Sequence, residues 1–328
     1  MTITSRHKEF EAIARQIKFD ILVADDFVLS ELASVVDVLM IANRVSVSPI
    51  FQWTFRSLHG GSIRSRTGVL VETQSMTERP DADYLFVIGN SNPDNPALSV
   101  GSHVSRYTYR NAQVFLLAEA ASRYISEHGN RHTALTTHWE NSAVLRERQG
   151  VFDAQSALAV EDGKVVTCAG MSSTMDVVLL LIGRYISAAA KMTVADIMLH
   201  ERIRDYSTQQ PFSGVKGTNT GDAELDDCIE LMAANIEEPL PINELVRVLG
   251  ISNRSLERKF RMYLDTTPNT YYRELRLSKA NNLLLNTTMS VREIGLACGF
   301  GSGFSSLYKS FFGVTPLTLR KQRRQSQS

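Results

Sequence analysis

The chain has 328 residues, 43% apolar and 21% charged, with 35 Lys and Arg against 35 Asp and Glu. That length suggests two domains, and the composition excludes a disordered or fibrous chain. The longest purely apolar run, Val177 to Ile182, is far short of the ~20 residues that a membrane span needs.

The opening stretch, MTITSRHKEFEAIARQ, is polar and mixed in charge. Residues 1–17 are therefore expected to be an N-terminal extension rather than a signal peptide, and a cytoplasmic location follows by default. From 18 to 206 short apolar runs alternate with helical stretches. FDILVA (19–24) suits a buried parallel strand and is followed by a helix from Ser30 to Arg44. FQWTFRSL (51–58), YLFVIG (84–89) and QVFLLA (113–118) read as further strands, the last leading into a helix near Ala121. His138 to Gln149 looks helical, and ALAVEDGKVVTCAG (157–170) reads as a hairpin turning at Asp162-Gly163. Ser172 to Ala190 and Thr193 to Tyr206 are read as two more helices. Strands alternating with helices imply an α/β sandwich around a mainly parallel sheet.

Residues 207–222, STQQPFSGVKGTNTGD, lack periodicity and read as a linker. Everything from 223 to 328 is helical in pattern. In the first helix pair Ile242, Leu245 and Val248 with Leu249 mark an inner face, Gly250 makes the turn and Ser252 caps the next helix. There Leu256, Phe260 and Tyr263 recur at helical spacing, which turns Asn253, Arg254, Glu257, Arg258 and Arg261 outward. Arg and Asn on an exposed helix suit guanine and adenine edges in the DNA major groove, while other Arg residues hold phosphates.

A second pair follows at 289–316. Ser290 and Glu293 make a capping box, Ile294 and Ala297 bury, and Gly299 with Gly301 forms the turn. Ser302 is expected to cap a helix with inward Phe304, Leu307 and Phe311, ended by Gly313. Its outer face, Ser302, Gly303, Ser305, Ser306 and Lys309, is less basic, so its contacts should be weaker or weighted to phosphate. Between the pairs, Asn269 to Asn286 reads as a connecting helix with apolar Tyr272, Leu275, Leu283 and Leu284. Residues 240–328 hold 14 Lys and Arg against 5 Asp and Glu, leaving the remainder equally acidic. A basic arm on an acidic partner is the asymmetry of a DNA-binding domain joined to a regulatory one.

The run KANNLLLNTTMSVREIGLACGFGSGFSSLYKSFFGVTPLTLRK (279–321) resembles the signature of AraC/XylS-type transcription regulators, over about 225–321. It departs at Gly295, where the family usually has Ala, and at Gly303-Phe304, where Ser-Tyr or Ser-Phe is commoner. The N-terminal part, through FDILVADDFVLSELASVVDVLMIANR (19–44), LFVIGN (85–90), TTHWE (136–140) and TCAGMSSTMDVVLLLI (167–182), resembles the PfpI/class I glutamine amidotransferase-like superfamily. The whole chain is similar to the GlxA-type subgroup, which joins the two. The resemblance implies a flavodoxin-like α/β domain before an all-α domain with two helix-turn-helix motifs.

Enzymes of that superfamily set a nucleophilic Cys on a sharp strand-to-helix turn. Here counting back from TTHWE puts Ala118 at that position, while Glu31 matches the supporting carboxylate and His138 the histidine. A PfpI-like hydrolase or amidase is the alternative, disfavoured because Ala118 carries no nucleophilic atom. Cys168 ends a strand near a helix start, as either a low-pKa thiol or an inert buried residue, the second being commoner in apolar surroundings. The three cysteines, Cys168, Cys228 and Cys298, have neither zinc nor disulfide spacing, and no metal or cofactor is expected.

A sensing domain would use the cleft at the strands' carboxyl ends, lined by Glu31, Gly89, Asn90, Ala118, Glu119, Ala120, His138 and Trp139. His138 and Trp139 suit core packing equally well. The two glutamates and Trp139 would attract a small cation, and the resemblance implies an amine-bearing metabolite. The expected partners are double-stranded promoter DNA, a small effector, a second copy in a homodimer and RNA polymerase, with no membrane. Activation rather than repression is implied by the resemblance alone.

Overall fold

A computed structural model describes residues 16–46, 49–90, 92–128, 134–142, 145, 156–210 and 220–326. Most of the N-terminal extension, the end of the helix expected at 138–149 and most of the linker lie outside them. The chain divides into two compact units between Thr208 and Gln209.

The first unit runs β1 (Ile17–Leu22), α1 (Leu29–Val45), β2 (Phe51–Ser57), β3 (Gly61–Arg64), β4 (Leu70–Ser75), β5 (Tyr84–Val87), α2 (Gly101–Tyr109), β6 (Gln113–Leu117), α3 (Ala118–His128), β7 (Ala159–Asp162), β8 (Val165–Cys168), α4 (Ser173–Ile182) and α5 (Ala188–Ile197). The strands form one sheet in the order β3-β4-β2-β1-β5-β6-β8-β7. From β4 to β8 neighbours are parallel, with an antiparallel hairpin on each edge.

Alternation along the central strands explains why both faces are covered. Phe86, Ile88, Phe115 and Leu117 pack with α1, α4 and α5 on one face. Leu85, Val87, Val114 and Leu116 pack with Val104 and Tyr107 of α2 and Ala120 and Ala121 of α3 on the other. β1 lies between β2 and β5, so the chain winds outward in both directions from it. That reversal opens a crevice at the carboxyl ends of β1 and β5.

Two expected helices are redrawn. The stretch 172–190 breaks at Gly183, and Ser187 caps a separate helix by accepting a bond from the Ala190 N–H at 3.1 Å. Beyond α5 the chain is not helical to Tyr206, because its bonds go elsewhere. Leu199 adopts φ 54. The buried Asp176 carboxylate accepts from the Arg204 backbone N–H (2.8 Å) and guanidinium (2.6 and 2.9 Å), and pairs with His200 at 2.8 Å. Leu158 and Ala159 then donate to the Thr208 and Tyr206 carbonyls, extending the sheet edge.

The second unit is helical: α6 (Ala223–Ala234), α7 (Ile242–Leu249), α8 (Asn253–Leu264), α9 (Pro268–Asn286), α10 (Val291–Ala297), α11 (Phe304–Phe312) and α12 (Pro316–Ser326). Gly250 at φ 69 closes α7, and Ser252 caps α8 through the Ser255 N–H at 3.1 Å. The Ser290–Glu293 capping box is present, and Gly313 at φ 78 ends α11.

Several inner faces differ from expectation. Val248 is exposed while Val246 packs with Leu245, because an eight-residue helix meets the core over little more than one turn. Tyr263 lies beyond the cluster that takes Leu256 and Phe260, and Leu264 packs there instead. On α11 the stripe is Phe304 and Tyr308, with Leu307 half-buried and Phe311 exposed. The Tyr308 hydroxyl donates to Asn281 at 2.5 Å, which holds that face inward. Ala297 is only half-buried, and Cys298 fills the core beside Ile294. Ser302 does not cap α11. The cap is Gly303 at φ 99, a conformation glycine adopts without strain, which leaves Ser302 one residue short.

Candidate functional site

The crevice of the first unit is built on a strained turn. β6 passes directly into α3 at Ala118, whose φ of 41 is uncommon for a residue with a β-carbon. The helix therefore starts three residues before the expected Ala121, and the position found by counting is the sharp strand-to-helix turn itself. The Ala118 carbonyl accepts from Thr137 (2.8 Å) and Ser122 (3.3 Å), which holds the turn.

Glu31, in the first turn of α1, is fully buried against it. One carboxylate oxygen accepts the Gly89 N–H at 2.9 Å and the other the Met171 N–H at 2.8 Å. It thus ties the ends of β5 and β8 to α1. Burial pushes Glu31 up to about 8, Glu119 adds to the rise, and the two backbone bonds oppose it.

Glycines make room for this arrangement. A β-carbon at Gly89 would stand 2.7 Å from a Glu119 oxygen and 3.1 Å from both Glu31 and the Ala118 methyl. One at Gly170, which adopts φ 77, would collide with Glu31 and reach 2.7 Å from the Ala118 methyl. Glu31, Gly89, Ala118 and Glu119 are therefore brought together. Gly170 and Met171 join them, and the sequence reading missed both. The small residues of TCAGM, next to a helix start, were the available signal.

Glu119 receives the Asn141 amide at 3.3 Å on one oxygen, and burial raises its carboxyl above the usual range. Its other oxygen is buried and finds no hydrogen-bond partner among the described residues. The segment 137–141 thus meets the turn through Thr137 and Asn141. His138 instead pairs with Glu140 at 3.6 Å and with the Trp139 ring at 5.6 Å, and burial lowers its pKa toward the neutral form. One lining expectation is corrected. Ala120 faces the apolar layer under α2 and α3, since α3 turns it away from the crevice. Asn90 is buried, and its backbone N–H opposes the rise of the Glu119 carboxyl, while its side chain serves the loop, accepting from the Asn92 N–H at 2.8 Å and donating to the Asp25 carbonyl at 3.3 Å. Cys168 is fully buried, and burial with the nearby Glu31 charge pushes its thiol far above the usual range, so it holds its proton.

The Glu31 environment carries a pH signature. Its ordinary value is 4.5 and its folded value about 8, so unfolding releases a proton between the two. Its contribution is fully present below pH ~4.5 and is lost as pH rises through ~8. Glu31→Gln cannot titrate, and its amide sets a donor against a donor at one backbone N–H. Thermal unfolding from pH 5 to 9 should show the variant well below wild type at the acid end, with the gap narrowing toward pH 9. A constant gap would sink the assignment.

In the second unit the expected outward residues are exposed. Asn253, Arg254, Glu257, Arg258 and Arg261 share the free side of α8, and Ser302, Gly303, Ser305, Ser306 and Lys309 that of the second turn and α11. Lys259 is withdrawn from this surface, pairing with Asp222 and, at 3.3 Å, with Glu224. Gly295 has a structural reason: the Phe304 ring lies 3.3 Å from where its β-carbon would be. Among the described residues no cluster of three metal-capable side chains occurs, and no helix is long and apolar enough to cross a membrane.

Residues 245–322 match a helix-turn-helix domain family. The chain is 31% identical to the HTH-type transcriptional regulator GbdR of Pseudomonas aeruginosa, over 90% of this chain and 82% of that one. It is 29% identical to the HTH-type transcriptional regulator GlxA of Rhizobium meliloti, over 92% and 94%. Among solved structures, an AraC family transcriptional regulator from Pseudomonas putida aligns with a TM-score of 0.48 at 20% identity, over 56% of this chain and 99% of that one.

Proposed function

The chain belongs to the AraC-family transcription regulators of the GlxA and GbdR type, and on that footing we propose how its two parts divide the work. The helical part binds promoter DNA. Arg254, Arg258 and Arg261 on α8, with Asn253 at its start, make the principal base and phosphate contacts, and α11 adds a weaker set through Ser305, Ser306 and Lys309. The observation that carries this is the free face of α8, where three arginines and an asparagine stand exposed directly after the Gly250 turn. Such a face offers bidentate partners for guanine and adenine.

The α/β part senses a small effector instead of catalysing a reaction. The strained turn persists while the residue on it is Ala118, and the one thiol close to the crevice, Cys168, is buried and protonated. Glu119 beside the strained turn offers a carboxyl oxygen to an amine-bearing metabolite, whose positive charge would favour the ionised form, while Glu31 is committed to the Gly89 and Met171 N–H groups and held at about 8 by burial. The protein acts as a homodimer, so that half-site contacts add, and as an activator that recruits RNA polymerase in the cytoplasm.

Duplexes selected from a randomised library by the full chain test the first part. Arg254→Ala and Arg258→Ala should each weaken binding by about 5- to 150-fold, the range of ~1–3 kcal/mol per base contact. Equal losses on selected and scrambled duplexes would leave only phosphate binding. A thermal-shift screen of amines and amino acids tests the second part: hits abolished by Glu119→Gln support it. Hydrolysis of amide substrates by the wild type would overturn it.

A further inference from the structure

The connecting helix α9 makes specific contacts with each helix pair. Toward the first pair the grip is apolar. Tyr272 and Leu275 join the cluster of Leu245, Leu256 and Phe260, Tyr271 meets Phe260 edge-on at 5.4 Å, and the Tyr272 hydroxyl donates to the Asn235 carbonyl at 2.6 Å. Beyond that cluster α9 also buries Leu277, Ala280, Leu283 and Leu284, and toward the second pair it adds a polar contact centred on Arg276. Its Nε donates to the Cys298 carbonyl at 2.9 Å, a terminal nitrogen donates to the Gly299 carbonyl at 2.5 Å, and the guanidinium lies 4.2 Å over the Phe300 ring.

These two carbonyls end α10, where no intrahelical donor remains and the helix dipole favours a cation. Phe300 stacks on Phe304 at 5.4 Å, and Phe304 meets Tyr308 at 5.7 Å. The Tyr308 hydroxyl then returns to Asn281, back on α9. An aromatic ladder under α11 is thus anchored to α9 at two points, about 7.5 Å apart by helical rise. The first anchor lies a similar distance from Tyr271, which touches the other reading helix.

We propose that Arg276 is a positioning residue that sets the separation between the two DNA-reading helices, by clamping the α10–α11 turn to the connecting helix. This rests on the reading that both helix pairs contact DNA. The planar, forked guanidinium spans two consecutive carbonyls and an aromatic face at once, which a lysine ammonium cannot do. A loosened turn lets α11 swing relative to α8, and a pair of readers that must meet successive major grooves, ~34 Å apart, loses its joint binding.

The test is selection of duplexes from a randomised library by the full-length wild type and by Arg276→Gln and Arg276→Lys, each checked for helix content by circular dichroism. The wild type should select two sequence blocks at one fixed separation, near one helical turn. Both variants should keep the first block and scatter or lose the second, and bind the wild-type two-block duplex about tenfold or more weakly, with single-block binding unchanged. Should Arg276→Gln fail to fold, Arg276→Lys decides the matter. Unchanged two-block selection by the folded variants overturns the role of Arg276. A single block selected by the wild type overturns the two-reader reading beneath it.

Discussion

Replacing Asp176 by Ala should lower the stability of the α/β domain by about 3–5 kcal/mol, the range for breaking a buried ion pair by removing one partner. The Asp176 side chain is 1% exposed and takes four bonds, from the Arg204 backbone and guanidinium and from His200. Truncation leaves the Arg204 guanidinium, 29% exposed, beside an apolar helix without its carboxylate. Asp176→Asn should recover only part of the loss, because it keeps a hydrogen-bond acceptor and loses the charge. Denaturant titration of the full chain, followed by tryptophan fluorescence, measures this, since Trp53 and Trp139 both lie in the first unit. A loss under 1 kcal/mol would mean that the segment from His200 to Thr208 is held by its sheet-edge bonds alone.

Gly170→Ala is expected to cost about 2–5 kcal/mol, from two sources that a control separates. A left-handed residue with a β-carbon costs ~1–2 kcal/mol, and forcing an atom into a packed site adds ~1–3 kcal/mol. At Gly170 the added carbon meets the Glu31 carboxylate, the Ala118 methyl at 2.7 Å and the Ala118 nitrogen at 3.1 Å. Glu31 cannot move aside without giving up the Met171 and Gly89 N–H groups. Gly163, in the β7–β8 hairpin, has φ 60 and open space around it, so Gly163→Ala should show the backbone cost alone. Equal melting temperatures for the two variants would remove the packing argument and with it the close approach of Glu31 to the turn.

Much of this molecule is legible in the residue order because its central elements repeat their apolar residues at the period of the structure they form. Runs such as YLFVIG and QVFLLA end up buried on both faces, as a parallel strand between two helical layers must be. The outward set on α8 was readable for the same reason: Leu256 and Phe260 define the inner face, and the charged residues are what remains. The β3–β4 hairpin and α2 gave no comparable signal. β3 and β4 are mostly exposed at a sheet edge, and α2 buries only Val104 and Tyr107. The crevice was partly readable. Glu31, Gly89, Ala118 and Glu119 converge, with the Asn90 backbone acting on Glu119, whereas Ala120 stands at a neighbouring position and faces elsewhere.

Residue order was enough to indicate an α/β part with Ala118 where a nucleophile would stand and a helical part with two turn-linked pairs, basic from residue 240 onward, whereas α6, which packs into the same helical unit, is acidic and offsets much of that charge. These follow from local quantities, namely apolar period, capping residues, glycine at turns and charge counted along the chain. Tertiary structure alone decided the rest. It set Glu31 against backbone 58 and 140 residues away, redirected 198–206 from a helix onto Asp176, and fastened the second helix pair through Arg276. Each depends on which distant groups meet in a space without water. There an unpaired carboxylate or guanidinium is costly, so the partner it finds overrides the propensity of its own segment.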